Sequence, residues 1–215
     1  MLFPVKPIEL NKLIPAVATG NQFNSALGNP QKIFQRIMVS AIGGVITLLI
    51  SQSQVTSQFY SLWLVLGVVF LLYILWGPIL EASRKNSKLK NYSFVALFDG
   101  YISQVYVEDR IENQQEQANK DGRLELVKRI RPWVIVDMED EDGYLGSINF
   151  PLKEKFNILK KGMRINCIVF SNRRDFMNIQ AFSDALCPEI NLWIGNYPFL
   201  LRPAFEEFVN IRTLN

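Results

Sequence analysis

The sequence predicts a membrane α-hairpin of two transmembrane helices, followed by an all-β domain on the cytoplasmic side, a small OB-like barrel, and a C-terminal helix. Three observations carry that expectation. Residues 37–80 form a run of 44 without one Asp, Glu, Lys, Arg or His. Residues 92–184 are dominated by strand-like alternation broken by turn residues. Residues 202–212 repeat apolar positions at helical spacing behind Pro203. A water-soluble surface rarely goes so long without a charge, and 44 residues exceed the roughly 20 of one crossing while suiting two short ones. The chain divides accordingly into an N-terminal segment 1–35, the hairpin 36–80, a basic linker 81–91, the barrel 92–184 and an aromatic tail 185–215.

Within the hairpin, residues 37–50 form the first apolar stretch and residues 59–80 the second, joined by the polar but uncharged 51–58. The first needs flanking residues to span about 30 Å of hydrocarbon. In the second, Trp63, Tyr73 and Trp76 stand near the ends as interfacial aromatics do, and Gly77-Pro78 closes the apolar stretch. Lys32 and Arg36 precede the hairpin, and Arg84, Lys85, Lys88 and Lys90 follow it. With no charge in the loop, the positive-inside rule places both termini on the cytoplasmic side. The spans hold no ionisable residue, which argues against an ion or proton pathway. Ser40, Ala41, Gly43 and Gly44 make a small-residue patch that lets a helix approach closely. That helix is either a client's or the other half of the hairpin.

The barrel is read from its strands. Residues 94–108 form one long strand bent at Gly100, and residues 123–138 a second, interrupted at Pro132. An acidic turn at residues 139–143 leads into residues 144–150, and residues 151–161 make a short helical link. Residues 164–170 form a strand with Ile165, Cys167 and Val169 facing inward, and residues 177–182 the last. Strand, strand, strand, helical link, strand, strand is the order of an OB-like Greek-key barrel. An SH3-like barrel or small sandwich is the alternative. In the tail, Trp193, Tyr197, Phe199 and Arg202 are candidates for a partner surface or for a structural cap. Pro203 suits the first turn of a helix whose Phe205, Phe208 and Val209 would dock it.

Charge bears on the partner. Residues 81–215 carry 19 basic and 19 acidic side chains, so the folded part has no overall field to attract nucleic acid. Lys153, Lys155, Lys160, Lys161, Arg164, Arg173 and Arg174 form a local basic set, of which Lys160, Lys161, Arg173 and Arg174 are the candidates for a lipid or partner face; with only Phe156 and Phe176 interleaved, it suits a solvated face or anionic headgroups better than bases. Catalysis finds little footing. The chain has no His, its two cysteines lie 20 residues apart, and it has neither a Walker lysine loop nor a GxGxxG motif. A non-enzymatic protein without metal or cofactor is expected. The acidic turn and Asp99 are read as a hairpin tip and a bulge, rather than a cation site and an acid.

Three segments carry a family likeness: Leu75-Trp-Gly-Pro-Ile-Leu-Glu-Ala-Ser83, Cys167-Ile-Val-Phe-Ser-Asn-Arg173 and Asn191-Leu-Trp-Ile-Gly-Asn-Tyr-Pro198. Together they resemble a family of two-span thylakoid membrane proteins of cyanobacteria and plastids, loosely labelled phosphate-transporter permeases. The similarity runs from about Trp63 to Phe208. It implies a thylakoid protein with stromal termini and a chaperone-like part in photosystem assembly, photosystem II before photosystem I. Its partners would be photosystem subunits as integral membrane clients, and membrane lipid. A permease is not expected from two uncharged spans. A membrane-tethered binding module and a transporter accessory subunit are the competing readings.

Overall fold

The computed structural model describes residues 1–53, 55, 58–118 and 124–213. In chain order the elements are β1 (Leu2–Pro4), α1 (Pro7–Leu13), α2 (Gly20–Leu27), α3 (Pro30–Ser53), α4 (Tyr60–Leu71), α5 (Tyr73–Lys90), β2 (Phe94–Ala118), β3 (Leu124–Glu139), β4 (Leu145–Pro151), β5 (Arg164–Ser171), β6 (Ala181–Cys187), β7 (Leu192–Ile194) and α6 (Arg202–Thr213). They fall into two compact units. Met1–Leu13 join Tyr92–Asn215 in a sheet unit, and Ile14–Asn91 form a helical unit.

In the helical unit, Thr19 caps α2 with its hydroxyl on the Gln22 N–H while the Gln22 side chain returns to the Thr19 N–H, a reciprocal capping box. Asn86 of α5 clasps this corner, its Nδ2 donating to the Pro15 carbonyl (2.9 Å) and to Gln22 Oε1 (3.0 Å). Pro30 opens α3 at the position where a missing N–H costs nothing, and the Asn29 side chain accepts from the Lys32 N–H. At 24 residues and about 1.5 Å each, α3 is long and apolar enough to cross a bilayer. Its sidedness is the inverse of a soluble helix. Arg36, Ser40, Gly44, Thr47 and Ser51 are buried, while Ile37, Met38, Ile42, Val45, Ile46 and Leu49 face outward. Small and polar residues inward with apolar ones outward is how a helix packs in lipid.

The second apolar stretch is not one straight span. It breaks at Leu72 into α4 and α5, which meet at 72°. At 12 residues α4 is too short to cross alone, so a second crossing exists only if the bent pair counts as one. Pro78, buried inside α5 rather than closing it, lacks an N–H and crowds the carbonyl four residues back, a cause for the chain to yield just upstream. Side chains restore the bonds that the break frees. Ser40 Oγ accepts from the Ile74 N–H (3.2 Å), and Trp76 Nε1–H donates to the Val69 carbonyl (2.8 Å).

The sheet unit corrects the barrel expectation. Its seven strands run β4-β3-β2-β5-β6-β7, with β1 added to β2, and every pair is antiparallel. The sheet curls around one core but stays open: among the described residues β4 pairs only with β3, and the three-residue β7 only with β6. Gly146 of β4 lies against the Phe182 ring of β6, so side-chain packing stands where an OB-like barrel would have a ladder. The core is built by alternation. Ala96 and Phe98, Val134, Val136 and Met138, Ile148 and Phe150, and Ile165, Cys167 and Val169 point to one face. The other face of β5 is buried as well, at Ile168 and Phe170. α6 buries Phe205 and Val209, and it is tied to α1 by Arg212 Nη2 on Glu9 Oε1 (3.0 Å).

β2 is far longer than expected. Its first part pairs with β5 through Tyr101, and from Tyr101 onward it pairs with β3, with bulges between Ile102 and Gln104 and between Ile111 and Asn113. β4 leaves β3 at Trp133. Residues 109–118 and 124–132 therefore continue as a two-stranded ribbon flanked by no other strand among the described residues, reaching about 30 Å past the sheet. The tip, residues 119–123, lies outside the described residues.

Candidate functional site

The helical unit holds a cavity of about 520 Å³ between the start of α3 and the bend and body of α5. Four cations border it, Arg36 from α3 and Arg84, Lys85 and Lys88 from α5, against one carboxylate, Glu81. The spacing of 84, 85 and 88 places these residues on one helical flank. Tyr73 and Trp76 supply its aromatic wall, packed edge to face at 4.9 Å. Glu81 organises the cations, taking Arg36 Nη2 at 2.6 Å, Lys32 Nζ at 3.0 Å and Lys85 Nζ at 3.0 Å. The Arg36 side chain is only 8% exposed, and its Nη1 is buried without a hydrogen-bond acceptor. An arginine spends five donors, so this one holds capacity in reserve.

Of the basic residues singled out from sequence, Arg84, Lys85 and Lys88 meet here and Lys90 does not border the cavity. In the sequence Arg36 reads only as a flanking charge. Its separation of 48 residues from Arg84 left no local signal that the two share a wall. The other basic set does not form one face. Lys160 and Lys161 precede β5, and Arg173 and Arg174 follow it, so a strand of eight residues, about 26 Å, separates the pairs. All four are exposed, and Arg173 is paired with Asp175 at 2.9 Å.

Of the two helices that the small-residue patch could meet, the structure sets Gly43 and Gly44 against the other half of the hairpin. A Cβ on Gly44 would run into the Leu71 side chain, and one on Gly43 into the Phe70 ring, while Gly67 of α4 faces Leu48 and Thr47. Ser40 is committed to the bend, and Ala41 alone of the four is exposed.

The aromatic tail is likewise a cap rather than an open partner surface. Trp193 and Tyr197 are buried, and Phe199 and Arg202 half-buried. The Trp193 ring meets Phe205 at 5.5 Å, carries the Arg202 guanidinium at 5.2 Å and donates its indole N–H to Glu206 (3.3 Å). On β6, Asp184 accepts the Leu200 N–H on Oδ1 (2.9 Å), while Oδ2 is buried without a partner. Gly195, at φ 138°, sits directly over its Cα and Cβ, an approach and a backbone region that suit glycine.

Burial pushes the Asp184 carboxyl up to about 7, against backbone donors and Arg202, which pull it down. A raised value means that folding takes up a proton between the ordinary 3.8 and about 7. Stability from this group is full below the lower value and lost as pH rises through the upper. The expected result is a melting temperature that falls by several degrees between pH 5.5 and 8.5. In Asp184→Asn, which keeps the acceptor for Leu200, the difference from the parent should shrink toward low pH. A parallel pair of curves would exclude Asp184 as the titrating group.

Reactive chemistry has few footholds. Burial raises both free thiols, Cys187 to about 12 and Cys167 further, so neither is a thiolate at neutral pH. Asp99 is held by Arg164 (2.8 and 2.6 Å) and Asn166 (2.9 Å), and this partnership raises the Arg164 guanidinium in turn. Among the described residues no group of three or more His, Cys, Asp or Glu is placed to hold a metal ion.

No curated protein and no solved structure matches the chain. A family model described as a family of unknown function, DUF8619, matches residues 3–213. The thylakoid, cyanobacterial and photosynthetic terms implied by the resemblance draw no support from these comparisons, and the open sheet removes the barrel. With nearly its whole length matched, the chain belongs to DUF8619, a family of unknown function.

Proposed function

We propose that the protein is a membrane-anchored, non-catalytic scaffold whose sheet unit engages an integral membrane client. The observation that carries this reading is the ribbon formed by residues 109–118 and 124–132. An isolated two-stranded ribbon is marginal in water. This one nevertheless exposes Ile111, Leu126 and Ile130, each at least half accessible, with Ile111 directly opposite Ile130 in the ladder. Glu112 bonded to Arg131 (2.9 Å) and Arg110 over the Trp133 ring (5.5 Å) stiffen its base. A stiff arm with an apolar flank suits docking on another protein. On this reading α3 crosses the bilayer, the bent α4–α5 pair returns the chain, and the basic flanks hold both termini on the cytoplasmic side.

The test is extraction of the tagged full chain in a mild detergent, with a photocrosslinking residue at position 130 and, as control, at the exposed Met177. Adducts from position 130 to one integral membrane protein are expected, co-migrating on a native gel. The Ile111→Ser/Ile130→Ser variant should lower that recovery at least about fivefold with an unchanged melting curve, in line with loss of a central apolar contact. Partly built photosystem subunits in the adduct would identify the client implied by the resemblance. A chain that migrates alone, or crosslinks equally from both positions, would overturn the scaffold.

A further inference from the structure

We infer that the cavity between α3 and α5 is a binding site for one phosphate-bearing anion, the headgroup of an anionic phospholipid. Four cations against one carboxylate leave the walls positive. Glu81 is already shared among Lys32, Arg36 and Lys85, so it cannot neutralise Arg84 and Lys88 as well. The decisive feature is Arg36. A buried guanidinium nitrogen without an acceptor is costly, and a phosphate oxygen entering beside it would supply the missing partner with a charge-assisted bond. Nη1 itself has almost no accessible surface, so the contact forms as the Arg36 side chain turns toward the cavity it lines.

Position favours a lipid over a free ion. Arg36 lies less than two turns into α3, where the charged end of a crossing helix meets headgroups. Trp76 and Tyr73 line the same cavity, and such rings sit at the glycerol level of a bilayer. Beyond them the outward face of α3, with Ile37, Met38 and Ile42, offers a track for acyl chains. The bend at Leu72 is what opens the site, because it swings α5 away from α4 and sets its basic flank beside Arg36. The inference rests on the chain lying in a bilayer but needs no client, so it and the scaffold stand or fall separately.

The experiment uses the full chain in a neutral detergent, titrated in turn with short-chain phosphatidylglycerol, short-chain phosphatidylcholine and inorganic phosphate. Native mass spectrometry counts bound molecules, and the melting temperature reports affinity. One saturable phosphatidylglycerol is expected, bound at least about tenfold tighter than phosphatidylcholine. Arg84→Ala/Lys88→Ala removes two exposed charges outside the Glu81 cluster, so its unliganded melting should match the parent while affinity drops at least about tenfold. Arg36→Gln should abolish the site, and the double variant keeps the test decisive if that protein unfolds. Inorganic phosphate binding as tightly as the lipid, with the same sensitivity, would overturn the lipid assignment and leave a free-phosphate site. Equal retention of both lipids, or a double variant that binds like the parent, would overturn the site itself.

Discussion

Replacing Gly44 by Leu is expected to separate α3 from α4 and lower the melting temperature of the protein in detergent by about 5 °C or more. A Cβ at this position already collides with the Leu71 side chain, and the Gly67 carbonyl lies 3.6 Å away. Three further carbons displace the Leu71 side chain and press on the Gly67 backbone, which drives the helices apart. Overpacking of this kind costs about 1–3 kcal/mol before secondary losses, and each kcal/mol moves the midpoint of a protein of this size by about 2–4 °C. Secondary losses are built in. Ser40 lies one turn away on the same face and accepts the Ile74 N–H, so separation also strips the bend of a backbone partner. Ala41→Leu, on the exposed side of the same patch, is the control and should leave the melting curve unchanged. If Gly44→Leu melts like the parent but no longer recovers a client, the patch is an external packing surface and the hairpin tolerates more than its contacts imply.

Gly100→Val should be worse, leaving little folded protein. At Gly100 one strand changes partners: β2 is paired with β5 up to Tyr101, and β3 joins it from Tyr101 onward with Glu139 opposite. The Glu139 carbonyl and the Phe98 ring both occupy the place of a side chain at position 100. Phe98 is fully buried, and the carbonyl is backbone in the ladder, so neither yields cheaply. Gly100→Ala should cost about 1–3 kcal/mol by the same overpacking argument, read as a shifted urea midpoint of near-UV circular dichroism in detergent. Valine adds two methyl groups at the collision point, and expression in inclusion bodies is the expected outcome. The ordinary backbone angle at Gly100 locates the effect in space rather than in conformational freedom. A folded, parent-like Gly100→Val would mean that β2 and β3 do not approach as closely as the register requires.

These two glycines show where local pattern ends. Gly100 reads in sequence as a kink, and a bulge does follow at Ile102, yet the reason for glycine is a carbonyl 39 residues away. Gly44 reads as a place where helices meet, and which helix it meets is settled only by the hairpin's own packing. Trp193 and Tyr197 look like partner contacts because aromatics rarely stand so densely on a surface. Trp193 is instead buried against Phe205 of α6, and Tyr197 is buried beside Phe199.

What the sequence by itself determined is everything governed by periodicity and composition. It settled that 44 uncharged residues include a helix able to cross a bilayer. It settled most of the strands from alternation, and a terminal helix that buries Phe205 and Val209. These follow from neighbours within a turn or a few residues, where backbone geometry is the same in any context. Only the tertiary structure decided that the sheet is open, that β2 and β3 run on as a ribbon, that the second apolar stretch breaks at Leu72, and that Arg36 reaches the flank of Arg84 and Lys88. Each depends on which distant surfaces fit. Whether a last strand finds a first, and whether a charge faces a bilayer or a cavity, depends on contacts made after the local elements exist.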